Sequence, residues 1–304
     1  MSWLLFAFSG PLLWAVSFHI DKYLVERYFK KSPVAILMVF TALIGLVMLP
    51  FIWWFRPQVL SLPWSNTLVM MASGILYMAA MLFYLHALQS EEASIVAPLF
   101  QISPLFGYLL AYLVLGEILT HTQMAGAALI VFGALTLTIR PGVRRSKKIK
   151  KSLVLWMLAC TFALALSSVI FKFFAVQDEY WMTTFWTYVG HAIFGVGILC
   201  VPSYWRQLVA LMRKNTRAVL QVNAANELIN LGGGLGVSYA TILAPVSLVQ
   251  AISSTTILFV FLFGILLTIF LPKFAKEDLS RKNLLLKGAA AVLITIGVIV
   301  INKT

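Results

Sequence analysis

The sequence has little charge, and least of all acid. Of 304 residues 11% are charged, with ten Asp or Glu against 23 Lys or Arg. Soluble domains carry about a quarter charged residues, so a chain that is 61% hydrophobic has too few to cover a water-facing surface of this size. Cysteine is nearly absent. Cys160 and Cys200 lie in separate apolar runs, which excludes a disulfide framework and a Cys-x-x-Cys metal site. With so much apolar sequence, disorder is excluded as well. No cluster of His, Asp and Cys has metal-binding or catalytic spacing, so no catalytic residue, metal or cofactor is expected. The run Gly232-Gly233-Gly234-Leu235-Gly236 has no strand before it and no Gly-Lys-Ser/Thr, which excludes a phosphate loop.

What the chain has instead is long apolar runs. A helix needs about 20 apolar residues to cross ~30 Å of hydrocarbon. Ten runs are of about that length, at 3–21, 33–55, 66–88, 93–115, 121–139, 153–175, 181–201, 218–239, 245–270 and 285–302. They do not alternate polar with apolar residues as barrel strands do, and lipid then leaves the helix as the way to satisfy the backbone. The first run has no basic flank or small-residue cleavage site and reads as a retained span. The joints after the first, third, fifth, seventh and ninth runs hold 20 of the 23 basic residues, leaving Arg56, Lys172 and Lys303. The positive-inside rule places that basic side in the cytoplasm and both termini outside it, in a cell (inner or plasma) membrane. The basic stretch Arg144–Lys151 reads as a topology determinant beside anionic headgroups, not as a nucleic-acid site.

The chain also repeats itself. Ala15, Ser17, Ile20, Lys22 and Tyr23 at the end of run one recur as Ala165, Ser167, Ile170, Lys172 and Phe173 at the end of run six. Pro50 closes run two and Pro202 run seven; the small residues and glycine of Gly126–Gly133 recur in Ala290–Gly297. Because five is odd, the second copy enters the membrane from the opposite side. The expected fold is therefore all-α integral membrane, with ten transmembrane helices in two five-helix inverted-topology repeats, a construction common in secondary transporters. The repeats span 1–140 and 152–304, joined by a basic cytoplasmic linker at 141–151.

Several stretches carry a family resemblance: Trp14-Ala15-x-Ser17, Ala87-Leu88, Ala93-Ser94-Ile95-Val96-Ala97-Pro98-Leu99, Leu115-Gly116-Glu117, and Gln123-x-x-Gly126-Ala127-Ala128-Leu129-Ile130-x-x-Gly133. In this order they resemble the EamA-type permeases of the drug/metabolite transporter superfamily. The second half departs from the pattern, with Thr268-Ile269-Phe270 where a Gly-Glu would close run nine. The resemblance implies export or exchange of small metabolites, such as amino acids or amine and drug-like compounds.

Nine of the ten acids read as lying in joints or at run ends; Glu227 falls mid-run. Asn223, Glu227 and Asn230 share one helix face, which Asn226 widens. Such a stripe belongs in the bundle interior. It is either a binding site for substrate or coupling ion, or a hydrogen-bond cluster that only holds helices together. Glu227 would take up a proton or pair with a substrate ammonium, and one carboxyl can do both by exchange. Gln250 and Ser254 in run nine, Gln101 in run four, Tyr77, Trp14 and the mid-run His191 are further pocket candidates, each with packing as its plainer reading. Lys172 and Glu117 fall at the same membrane end, as a gate or structural ion pair. The function expected is secondary active transport of a small-molecule substrate by alternating access, in a monomer within the lipid bilayer, with protons as a candidate coupling ion. A lipid-linked carrier flippase of the same fold is the alternative; the scarcity of basic residues in the runs speaks against it.

Overall fold

The computed structural model describes residues 2–27, 35–90, 96, 99–138, 151–270 and 280–302. Among them no strand forms. The helices are α1 (Ser2–Arg27), α2 (Ala35–Phe55), α3 (Trp64–Ser90), α4 (Ser103–Leu115), α5 (His121–Leu137), α6 (Lys151–Gln177), α7 (Tyr180–Leu199), α8 (Pro202–Leu243), α9 (Val246–Ser253), α10 (Thr256–Phe270) and α11 (Arg281–Asn302), with a 3-10 turn at Pro57–Leu60. Among the described residues seven segments are long and apolar enough to cross a membrane: Trp3–Asp21, Met38–Phe55, Trp64–Ala87, Lys151–Gln177, Tyr180–Leu199, Val246–Phe270 and Asn283–Asn302. The helices Ser103–Leu115 and His121–Leu137 are apolar but shorter. The chain is a multi-pass membrane protein, and its polarity is arranged accordingly. Trp54, Phe55, Ile118, Leu155 and Phe270 stand outward and exposed, while Asn223, Asn226, Glu227, Thr183 and Thr255 are buried. An outward apolar belt of this kind suits lipid and not water.

Three expected boundaries move. Asp21 and Lys22, read as a joint, lie within α1. Nothing between Ser17 and Leu24 stops a helix, and the charges cap no turn. Pro50 does not close its helix but sits inside α2, which runs on to Phe55. The basic joint at 206–217 is helical as well: α8 begins with Pro202 in its first turn and continues for 42 residues. At 1.5 Å per residue that is about 63 Å, roughly twice the hydrocarbon thickness. No glycine or proline interrupts it before Gly232, and Pro245 ends it. The expected linker 141–151 lies outside the described residues apart from Lys151, which opens α6.

Run nine is broken where no proline predicts it. α9 ends at Ser253, and Ser254-Thr255 form a turn before α10 starts. Both serines turn back on the chain, Ser253 Oγ to the Val249 carbonyl at 3.0 Å and Ser254 Oγ to that of Gln250 at 3.3 Å. Hydroxyls that bond their own helix in this way compete with the ladder and loosen it. Gln101 and Ile102 form a matching turn just before α4.

The bundle is assembled from close helix pairs: α1 with α8, α3 with α6 and α7, α2 with α7, and α5 with α11. Glycine sets several of these distances. A Cβ on Gly126 of α5 would stand 2.8 Å from the Gly297 carbonyl oxygen, and one on Gly297 2.7 Å from that of Gly126. Gly74 and Gly190 exclude side chains from the α3–α7 crossing in the same reciprocal way, against the Thr187 and Met71 carbonyls. Along α1–α8, Gly10, Gly233 and Gly236 lie against Val237, Trp14 and Ser9. Small residues at such seams let backbones approach where lipid offers no hydrophobic drive.

Candidate functional site

α8 passes its polar stripe through the middle of the bundle. Asn223, Asn226 and Glu227 are 1%, 0% and 5% exposed, so the face that their spacing defines is an interior one. α2 supplies the first partner: Thr41 Oγ1 donates to Glu227 Oε1 at 2.9 Å. α1 supplies the second. Asn226 Nδ2 donates to Asp21 Oδ1 at 2.6 Å, and Ser17 Oγ reaches Asp21 Oδ2 at 3.5 Å. Asp21 is thus a half-buried carboxylate at the end of its span, four residues from Ser17 on one face of α1, and Glu227 is the one fully buried acid among the described residues. The signal for Asp21 was its Ser17 i,i+4 partner; the adjacent Lys22 hid it by making the pair look like a joint. Thr41, an unremarkable residue of an apolar run, had no signal.

The partners given to these carboxylates are neutral. The ion pairs among the described residues lie elsewhere, at Arg56–Glu179 and Lys172–Glu117. Glu227 Oε2, both amide atoms of Asn223 and Asn226 Oδ1 are buried without a protein partner. Buried polar atoms are nearly always satisfied in a resting fold, so this cluster has capacity to spare. On its far side stand aromatic rings. Tyr77 stacks on His191 with centroids 5.2 Å apart, Tyr188 meets His191 edge-on at 5.0 Å, and Glu227 lies within electrostatic reach of both tyrosines. His191 Nε2 is buried and unpartnered. Tyr77 and His191 therefore join the Glu227 group. Tyr188, which the sequence reading left out, joins them, filling the space that Gly45 leaves on α2.

Other expected pocket residues go elsewhere. Trp14 lies against Gly10 and Gly233 in the α1–α8 seam. Gln250 packs its amide on Gly107, joining α9 to α4, and its Oε1 has no partner. Gln101 is buried beside its own turn with Oε1 unpartnered, and Ser254 bonds only its own backbone. Asn230 lies one turn beyond Glu227 and makes a polar contact to it.

Lys172 and Glu117 form an ion pair, with side chains 13% and 12% exposed. It is more than a charge contact. Lys172 Nζ also donates to the Ala244 carbonyl at 2.8 Å, and the Val246 N–H donates to Glu117 Oε2 at 2.9 Å. The pair clamps both sides of Pro245, where α8 gives way to α9. Glu117 is delivered to this point by Gly116, which ends α4 with φ +66, a left-handed conformation suited to glycine. At the same end Arg56 and Glu179 pair at 3.0 Å, and Asn66 donates to Asp178 at 3.1 Å.

Comparison with known proteins now has a geometry to meet. Residues 1–139 match the EamA-like transporter family, in the drug/metabolite transporter superfamily. No curated protein matches the chain. A solved structure, titled only as the crystal structure of a protein, is similar over 99% of this chain and 95% of its own length, with a TM-score of 0.66 and 20% identity. That likeness is one of fold, and it extends beyond the EamA-like segment to the second half. A transporter family also accounts for an interior that is polar, buried and incompletely satisfied.

Proposed function

We propose that this chain is a secondary active transporter of small organic solutes, working by alternating access between two inverted five-helix repeats with ten spans. The packing supports the repeat. Exchanging the halves sends α1 to α6, α2 to α7, α3 to α8, α4 to α10 and α5 to α11. The α1–α8 pair then becomes α6–α3, α3–α7 becomes α8–α2, α4–α6 becomes α10–α1, and α2–α7 and α5–α11 map onto themselves; every one of these pairs is in contact. A further repeat supports it in sequence: Ala93-Ser94-Ile95-Val96-Ala97-Pro98 returns as Ala240-Thr241-Ile242-Leu243-Ala244-Pro245.

The observation that carries the function is Glu227. It is buried mid-bundle between Thr41 of α2 and an aromatic group, with one oxygen open. A carboxyl kept at that depth is costly and marks a transported or coupling species. An amine on an amino acid or drug-like substrate is the complementary charge, and tyrosine faces add cation–π attraction. Gradients of protons drive the cycle, the basic loops face the cytoplasm, and Lys172–Glu117 with Pro245 closes the opposite end. The flippase reading would need a free basic group for phosphate, and Lys172 is committed to Glu117. The test is proteoliposome flux of an amino-acid and amine panel, with and without a pH gradient, for wild type and Glu227→Gln. Gradient-driven flux that collapses in the variant is expected. No flux across the panel, or flux unchanged in Glu227→Gln, would remove this reading.

A further inference from the structure

Two neighbouring carboxylates, Glu227 buried and Asp21 half-buried, sit in different surroundings. Glu227 keeps Oε2 open and lies near Tyr77 and Tyr188. Asp21 has both oxygens engaged, by Asn226 and Ser17. It also lies on the α1–α8 seam, which Gly10, Gly233 and Gly236 close further along the two helices. One turn before Glu227, Asn223 is 1% exposed on the same face with neither amide atom partnered. The hydrogen-bond partners of both acids are uncharged, and the two acids lie within electrostatic reach of one another.

We propose that Asp21 is a proton-binding site distinct from the substrate carboxyl Glu227, and that Asn226 couples the two. The proposal rests on the transporter reading above. When a proton arrives, an O–H bond forms on Asp21 Oδ1, which makes that oxygen a donor and a poorer acceptor for the Asn226 amide. It turns so that its Oδ1, now unpartnered, accepts from the new hydroxyl. Because Asn226 immediately precedes Glu227 on α8, this turn alters the face that meets substrate. The titratable neighbours are few. From α8 comes Glu227; α9 and α10, also packed on α1, carry no ionisable side chain. On α1 itself are Lys22, Tyr23 and His19, whose Nε2 meets the Val260 carbonyl at 3.0 Å. Lys287 of α11 stands over the Phe261 ring, 3.9 Å from its centre.

The experiment needs no knowledge of the substrate. Purified full-length protein in proteoliposomes on a solid-supported membrane is given an acidic pH step, and the transient current is recorded. Wild type and Glu227→Gln are expected to show the transient, Asp21→Asn to lose it and Asp21→Glu to regain it. A wild-type transient in Asp21→Asn, or loss of the transient in Glu227→Gln, overturns the proposal. So does a current that Asp21 governs on a sodium step but not on a proton step. Should Asp21→Asn fail to fold, carbodiimide labelling of wild type in the membrane decides: an adduct on Asp21 that increases with acidity is expected, and its absence overturns the proposal. The two readings fail separately. A panel without flux but with an Asp21-dependent transient removes the organic solute; flux that needs Glu227 without any proton transient removes Asp21.

Discussion

The α1–α8 seam and the α3–α6 seam are built alike and furnished differently. Under exchange of the halves they are the same pair of helices, and each carries a serine at the matching place. Ser167 Oγ donates to the Ser73 carbonyl at 2.9 Å and is satisfied; Ser17 reaches for a carboxylate. Four residues on, Asp21 corresponds to Phe171. Taking Ala240–Pro245 over Ala93–Pro98 as the register, Asn223, Asn226 and Glu227 correspond to Leu76, Ala79 and Ala80. One seam is a dry joint and the other a site. The two seams share an arrangement, and the acids and amides stand in one of them.

The same contrast holds for the clamp at the other end. Breaking it gives the largest expected effect. Lys172→Ala leaves Glu117 buried with only a backbone donor, and removing one partner of a buried pair costs about 3–5 kcal/mol; thermal unfolding in detergent measures it. Swapping the two charges together should not restore stability. A lysine at 117 would face the Val246 N–H, and a carboxylate at 172 the Ala244 carbonyl. Recovery in the swapped protein would show that the backbone contacts are incidental.

Next in size is an attempt to furnish the dry seam. Phe171→Asp places an unpartnered charge among Ala175, Tyr180 and Leu235 and should destabilise by about 3 kcal/mol. If it is tolerated, the place that corresponds to Asp21, here packed on α7 and α8, is wet after all and the comparison fails. Glu227→Gln sharpens it from the other side. The amide keeps an acceptor for Thr41, so unfolding should shift by less than about 1 kcal/mol, while flux falls at least ~10-fold, equivalent to about 1.4 kcal/mol. Gly116→Ala puts a side chain at a left-handed φ in open space and should cost about 1–2 kcal/mol, read in the same unfolding assay. Ser167→Ala, removing one neutral hydrogen bond, is the smallest at about 1 kcal/mol, with flux unaffected.

Much of this was readable in advance, unevenly. The helical spacing of Asn223, Asn226 and Glu227 predicts one interior face because charge in lipid is expensive, and all three are buried. The meeting of Lys172 with Glu117 follows from counting which joints share a side. Asp21 was obscured because Lys22 beside it makes the pair read as a joint; its bond to Asn226 of α8 is what ties this half-buried acid to the interior face. The length of α8 was missed for a related reason. A basic stretch beside the membrane reads as a loop, yet nothing in it breaks a helix. The turn at Ser254-Thr255 depends on hydroxyls choosing their own backbone, which composition does not reveal.

The bond between Asn226 and Asp21 joins positions 205 residues apart. A ribosome adding about 5–20 residues per second takes roughly 10–40 s to cover that distance. For that interval the first helix waits in the membrane with its acid and without the amide that will hold it. The order of synthesis thus leaves the partnering of Asp21 to a helix made in the second half of the chain.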